Sequence, residues 1–344
     1  MCTAIAPDTA VAGSLVCATR APDAEPMARY EAQAVKDIQA ACDTLRPVYD
    51  RLDAKDGYVS LEVSPCLALK GPETAEEAER LWKAVDRPNL MIKIPGTDDG
   101  VRAIRDTIAK GINVNVTLLF GQEAYKAVAI AHAEGLEERV SKGLPIDRIA
   151  SVASFFVSRI DSKIDEKIDA GVGGEEAKAL KGKVAIANAK LAYASYQALI
   201  NGPRWRAVAA RGARPQRLLW ASTGTKNPDY SDILYVQELI AAGTVNTMPL
   251  ATMEAFAYHG IAAVTMTDTK AALAQLGELE ELGISLTAIT QQLRTEGVQA
   301  FYSGDVAQAI VRKVQQHPSN PGQLALSDLA NYQAKERVPL CFDH

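Results

Sequence analysis

YVSLEV (Tyr58–Val63), LMIKI (Leu90–Ile94) and VNVTLLF (Val114–Phe120) are three short β-type runs whose polar residues all fall on one parity. Successive side chains of a strand point to opposite faces, so parity separates one face from the other. In the first run Leu61 and Val63 oppose Ser60, Glu62 and Ser64. In the second, Ile92 and Ile94 oppose Met91 and Lys93. In the third, Val114, Val116 and Leu118 oppose Asn113, Asn115 and Thr117. A parallel strand held between two helical layers should be apolar on both faces. A barrel removes the conflict, because one face of every strand packs under helices and the other points to a shared interior. That interior opens at the C-terminal ends of the strands into a ligand site. Three successive strands offering Glu, Lys, Asn and Thr to the same side therefore predict an α/β chain of the (β/α)8, TIM-barrel type.

The pattern extends outward from these runs. IASVASFFV (Ile149–Val157), LLWAS (Leu218–Ser222) and TVNTM (Thr244–Met248) read as further strands. Between the runs lie amphipathic helical stretches such as Thr74–Val85, Asp99–Lys110 and Gln122–Ala133, and such alternation is the mark of repeated βα units. Val172–Ile200, rich in Ala and Lys, makes one connection much longer than the others. The expected organisation is an irregular segment over residues 1–30, a barrel over 31–302, and a helical or irregular tail over 303–344. The tail holds a helix-like piece (Val306–Gln315) and the turn cluster His317–Gly322.

Bulk properties exclude several classes. A length of 344 residues suits a single α/β barrel, and 48% hydrophobic content supplies a core. A net charge of −5 argues against a nucleic-acid footprint or a polybasic membrane surface. The five cysteines (Cys2, Cys17, Cys42, Cys66 and Cys341) include no CxxC pair, and the four histidines do not cluster with them, so neither a disulfide framework nor a zinc site is expected. No apolar run reaches the roughly 18 residues of a membrane span. The Ala10–Cys17 run lacks a basic segment before it and reads poorly as a secretory signal. The expectation is a soluble cytoplasmic protein without metal or nucleotide cofactor.

Lys93 admits two readings. It sits at a strand end with its amine turned to solvent, or it is an amine in a low-dielectric pocket where the neutral form attacks a ketone. Glu62 is then its acid/base partner, since carbinolamine formation and dehydration both need proton transfers. A plain interior ion pair between the two is compatible with that role. Asp98 and Asp99 begin the next helix, whose N-terminus favours negative charge.

VSLEVSP (Val59–Pro65), NLMIKIPGTDDG (Asn89–Gly100), GINVNVTLLF (Gly111–Phe120), SVASFFVSRID (Ser151–Asp161), LWASTGTKNP (Leu219–Pro228) and TVNTMP (Thr244–Pro249) resemble, in order and spacing, the successive strand motifs of the transaldolase family. The resemblance covers about residues 35–300. It implies that Lys93 is the Schiff-base lysine, Glu62 the acid/base group, and Thr117 the residue that holds the catalytic water with it. It implies donor-sugar contact at Asn115, a pocket wall at Ser154 and Phe156, and phosphate binding by Arg159, Ser222 and Lys226. Read as residues alone, Arg159 is also a surface Arg at a helix start, and Lys226 a solvated loop Lys.

The activity implied is transfer of a dihydroxyacetone unit from a ketose phosphate (sedoheptulose 7-phosphate or fructose 6-phosphate) to an aldose phosphate, in the pentose phosphate pathway. Sugar phosphates are the expected partners, and self-association is compatible with the sequence. Two N-terminal motifs of the family, an LDxxSR-like strand with a catalytic Asp and a TSNP-like motif, are not found in residues 1–57. Their absence leads to the expectation of a truncated, differently started or degenerate chain. It also leaves open a fructose-6-phosphate aldolase-like lyase and a catalytically impaired sugar-phosphate-binding barrel. A barrel short of two strands exposes sheet edges, which Ala10–Cys17, the tail or another chain would have to cover.

Overall fold

The computed structural model describes residues 26–64 and 67–303. Helix α1 (Pro26–Arg51) leads into β1 (Val59–Glu62), and five βα repeats follow. These are α2 (Gly71–Val85) to β2 (Leu90–Pro95), α3 (Asp98–Ala109) to β3 (Val114–Leu119), α4 (Gln122–Ser141) to β4 (Ser151–Phe156), a longer crossover to β5 (Arg217–Ala221), and a loop crossover to β6 (Val245–Asn246). The long crossover carries α5 (Ser158–Asp169), the short α6 (Gly174–Ala177), α7 (Val184–Ile200) and α8 (Pro203–Ala209). The loop crossover carries the single turn α9 (Leu234–Gln237). Three helices complete the described chain: α10 (Leu250–His259), α11 (Thr269–Glu281) and α12 (Leu286–Ser303).

All six runs expected to be strands are strands, and among the described residues they pair in parallel in the order β1-β2-β3-β4-β5-β6. The sheet curls into a half-barrel with helices around it, an incomplete form of the expected (β/α)8 architecture. Helix α1 begins at Pro26, so residues 26–30, inside the stretch expected to be irregular, are helical. Ala10–Cys17 and the tail from residue 304 lie outside the described residues.

Parity sorts the core into two parts. Val63, Ile92, Ile94, Val114, Val116, Ala153, Phe155, Leu218 and Trp220 pack outward under the helices in the main cluster. Met91, Val152, Leu219, Ala221 and Val245 line the concave side, where Tyr49, Ala54 and Tyr58 join them. One expectation is corrected. Leu118 does not share the outward face of Val114 and Val116, because the register slips between Val116 and Leu119. Leu118 adopts a left-handed backbone (φ +58), and Leu119 takes the outward core position, fully buried. The extra residue of a β-bulge resets the alternation, and the left-handed conformation costs a β-region leucine about 1–3 kcal/mol.

Close packing holds the βα units together. Thr97 caps α3 by accepting from Gly100 N at 3.0 Å and donates to Ala68 O at 2.6 Å. A Cβ on Gly100 would stand 1.9 Å from Pro95 O, so only glycine lets α3 start this near the end of β2. Gly135 serves likewise at the α3–α4 crossing, where a Cβ would meet Arg105 O and Ile108 at 2.7 Å. The side chain of Asn113 ties three neighbours, donating to Pro88 O and Leu90 O and accepting from Ala150 N at 2.9 Å.

His132 and Asp161 are buried titratable groups of this framework with opposite effects on stability. His132 on α4 donates from Nε2 to Arg214 O at 3.2 Å and stacks on Trp205, and burial pushes it down to about 4. Asp161 on α5 accepts from Ala185 N and Tyr235 Oη, and burial pushes it up to about 7. Below pH 6.5 the unfolded chain protonates its histidine before the folded one does, so the His132 contribution to stability falls as pH drops from 6.5 toward 4, by about 3 kcal/mol in all. Asp161 has the opposite sign: the folded chain keeps its proton up to about pH 7, so that contribution falls as pH rises from near 4 to 7. Urea unfolding at pH 7.5, 6 and 5 should show the difference. His132→Phe should lose less stability on acidification than the parent, and Asp161→Asn should lose more.

Candidate active site

Glu62 and Lys93 meet because β1 and β2 run parallel in a register that pairs these two positions directly. Both side chains lie on the concave side, and Lys93 Nζ stands 3.1 Å from Glu62 Oε2. Lys93 is 28% exposed and Glu62 34%. Both side chains are therefore partly exposed among the described residues. They form an interior ion pair, accessible from the concave side, in which a carboxylate is within direct proton-transfer reach of the amine.

The next strand pair extends the same layer. Lys93 is in register with Asn115, and Pro95 with Thr117. Asn115 is buried, donating from Nδ2 to Ser60 Oγ at 2.9 Å and accepting at Oδ1 from Ser154 Oγ at 2.7 Å. A chain of polar side chains thus crosses β1, β3 and β4 beside the ion pair. Thr117 keeps the concave parity, since the bulge falls immediately after it, and is 1% exposed. Ser60 shares parity with Glu62 but was not singled out as a site residue from sequence. Its partner on β3 lies 55 residues away, and nothing local announces it.

A second group gathers at the C-terminal ends of β4 and β5. Phe156 tilts against Phe120 with centroids 5.2 Å apart, and the Arg159 guanidinium lies over Phe156 at 5.4 Å. Arg159 is exposed in the first turn of α5. Ser222 follows β5 in a left-handed conformation (φ +57). Ser158 N donates to Ser222 O at 3.0 Å, and the two serine hydroxyls stand 3.0 Å apart. Lys226 lies in the loop beyond. Desolvation and, secondarily, the Arg159 charge hold its ammonium below the usual lysine value. Two cations brought near each other at a helix N-terminus, with hydroxyls beside them, are suited to an anion with several oxygens.

The sequence-predicted residues therefore fall into two sets at the same end of the sheet. Glu62, Lys93, Asn115, Thr117 and Ser154 form the set around the ion pair, and Phe156, Arg159, Ser222 and Lys226 form the set around the two cations. The Ser154–Asn115 bond and the two-residue step from Ser154 to Phe156 along β4 connect them. Asp98, noted beside Lys93 in sequence, starts α3 and pairs with Arg294 at 3.0 Å. Among the described residues no three His, Cys, Asp or Glu side chains group as a metal site, and no helix is long and apolar enough to cross a membrane.

This geometry coincides with clear relationships to known proteins. Residues 10–309 match the family described as Transaldolase/Fructose-6-phosphate aldolase. A transaldolase of Parafrankia sp. (strain EAN1pec) is 53% identical over 267 residues, covering 77% of this chain and 72% of that protein. A transaldolase of Thermobifida fusca (strain YX) is 52% identical over 271 residues, with the same shares covered. One from Thiobacillus denitrificans (strain ATCC 25259 / T1) is 48% identical over 283 residues, covering 82% of this chain and 79% of that protein. With this match over most of its length, and with a lysine and a glutamate paired across adjacent parallel strands, the chain belongs to the transaldolase/fructose-6-phosphate aldolase family.

Proposed function

We propose that this chain is a transaldolase, moving a dihydroxyacetone unit from a ketose phosphate to an aldose phosphate through a Schiff base on Lys93. The observation that carries the reading is the 3.1 Å approach of Lys93 Nζ to Glu62 Oε2 in a layer shared with Asn115 and Thr117. Residues 31–302 are the barrel domain in this reading. The protein works in the cytoplasm on the pentose phosphate pathway, and self-association is compatible with it.

The chemistry follows from the positions. Glu62 takes a proton from the Lys93 ammonium, and the neutral amine adds to the C2 ketone of the donor. The carbinolamine loses its hydroxyl as water when Glu62 returns a proton, directly or through a water held with Thr117. The resulting iminium is an electron sink. When a general base takes the proton of the C4 hydroxyl, the C3–C4 bond breaks, its electron pair enters the iminium system, and an aldose phosphate leaves. The enamine that remains on Lys93 attacks the aldehyde of the acceptor, and hydrolysis frees the new ketose. Asn115 and Ser154 orient the donor hydroxyls. Arg159, Ser222 and Lys226 hold the phosphate, Phe156 forming a wall beside them. No metal or organic cofactor has a part in these steps.

One observation favours a second reading. The base for the C4 hydroxyl comes, in the family, from an Asp in an LDxxSR-like motif, and residues 1–57 hold no such motif. Schiff-base formation needs only the Lys93–Glu62 pair, whereas cleavage needs that base. A chain slow in cleavage is then a sugar-phosphate-binding barrel, and one that releases dihydroxyacetone to water is a fructose-6-phosphate aldolase-like lyase.

Borohydride reduction in the presence of fructose 6-phosphate should leave a covalent adduct that peptide mass spectrometry locates on Lys93, and Lys93→Arg should give none. An unmodified Lys93 in the parent protein would exclude both enzyme readings. Product from fructose 6-phosphate should rise sharply when erythrose 4-phosphate is added, whereas equal product without acceptor identifies the lyase. Glu62→Gln should slow adduct formation by about 10²- to 10⁴-fold, the usual contribution of a positioned acid/base group, at nearly unchanged donor affinity.

A further inference from the structure

Asp161 and Asp165 are buried on one face of α5, one turn apart, although a carboxylate is costly to bury. Each is bonded by a tyrosine from the segment that follows β5. Tyr230 Oη donates to Asp165 Oδ2 at 2.6 Å, and Tyr235 Oη donates to Asp161 Oδ2 at 2.9 Å. Asp161 also accepts from Ala185 N at 2.8 Å, which fixes α5 to the start of α7. The same helix carries Arg159 in its first turn, and the tyrosine segment is continuous with the loop that carries Lys226.

That loop is internally braced. Thr225 Oγ1 donates to Ser231 O at 2.8 Å, Tyr230 N to Asn227 O at 3.2 Å, and Asp229 N to Asn227 Oδ1 at 3.0 Å. Lys226 therefore sits inside a small self-bonded unit, and where Tyr230 is fastened decides where the amine is held. The Tyr230 ring also packs on Gly182, whose left-handed backbone (φ +71) and missing Cβ leave room for it; a Cβ there would come within 3.0 Å of the ring. A directional bond between a hydroxyl and a buried carboxylate sets one position more sharply than apolar packing alone.

We propose that Tyr230 and Asp165 are positioning residues whose hydrogen bond sets the spacing of Lys226 and Arg159, and thereby the preference for phosphorylated over unphosphorylated ketoses. The inference rests on the phosphate-binding role assigned above to Arg159 and Lys226. The two cations lie on separate elements, and their repulsion pushes the loop away from α5. The Tyr230–Asp165 bond opposes that push, so the cradle stays set before a phosphate arrives. Such preorganisation improves affinity for the group that needs both cations and leaves the rest of the sugar site untouched.

The test is the ratio of dissociation constants for fructose and fructose 6-phosphate, measured by calorimetry on the full chain. The parent protein, Lys226→Met, Tyr230→Phe and Asp165→Asn are compared, with melting temperature recorded for each. Lys226→Met should weaken fructose 6-phosphate by about 10- to 100-fold, as loss of a charged hydrogen bond does. Tyr230→Phe should weaken it by about 3- to 10-fold, as loss of a neutral-donor bond does, with fructose binding unchanged. Asp165→Asn keeps an acceptor for Tyr230 and should retain most of the parent ratio. An unchanged ratio in Lys226→Met overturns the phosphate reading and this proposal with it. A changed ratio in Lys226→Met but not in Tyr230→Phe overturns the positioning role and leaves the phosphate reading standing. Equal weakening of both sugars in Tyr230→Phe, or a drop in melting temperature with the ratio intact, makes the bond structural only and also overturns the proposal.

Discussion

The parallel register between β1, β2 and β3 is the constraint on which the site depends. It pairs Glu62 with Lys93 and Lys93 with Asn115, so three polar side chains on different strands arrive in one layer of the concave face. Strand spacing of about 4.8 Å then places amine and carboxylate within contact without any special loop. A slip of one residue in β2 would turn Lys93 out toward the helices, bring Ile92 and Ile94 to the concave face and break the layer altogether. The outer core guards against that slip, since Ile92 and Ile94 are completely buried and would both be turned inward.

The helices fix the register from outside, and they do so through close approach more than through bulk. Gly100 and Gly135 admit backbone and side-chain atoms that any Cβ would displace. Thr97 and Asn113 tie the ends of neighbouring strands through their side chains. Against this rigid frame, the bulge at Leu118 is a local adjustment. It lets Thr117 keep its place on the concave side while Leu119 returns to the core, and the frame can bear its small strain.

The cationic end obeys different physics. The Arg159 charge acts against the Lys226 ammonium, and the Tyr230–Asp165 bond on α5 is the restraint proposed to oppose it. Burying Asp161 and Asp165 makes sense in that light. Their carboxyl groups are bonded by two tyrosines and by the start of α7, and so connect α5 to the segment after β5 and to α7.

Much of this was legible in the sequence. Short β-type runs located the six strands among the described residues, and parity put Glu62, Lys93, Asn115 and Thr117 on one face, because side-chain direction in a strand is a local property of the chain. The six motifs in order carried the family and the roles assigned to single residues. Other features were not legible. The bulge that moves Leu118 off the face of Val116 depends on how β3 fits β4, and the open setting of the ion pair depends on how far the sheet curls. Ser60 as partner of Asn115, Ser158 as partner of Ser222, and Asp165 as partner of Tyr230 are contacts across 55, 64 and 65 residues. Such pairs leave no periodic trace, since they are set by the angles at which separate βα units pack. The sequence by itself determined which residues face the interior; the tertiary structure decided which of them touch, because contact requires strands and helices far apart in the chain to be brought into one register.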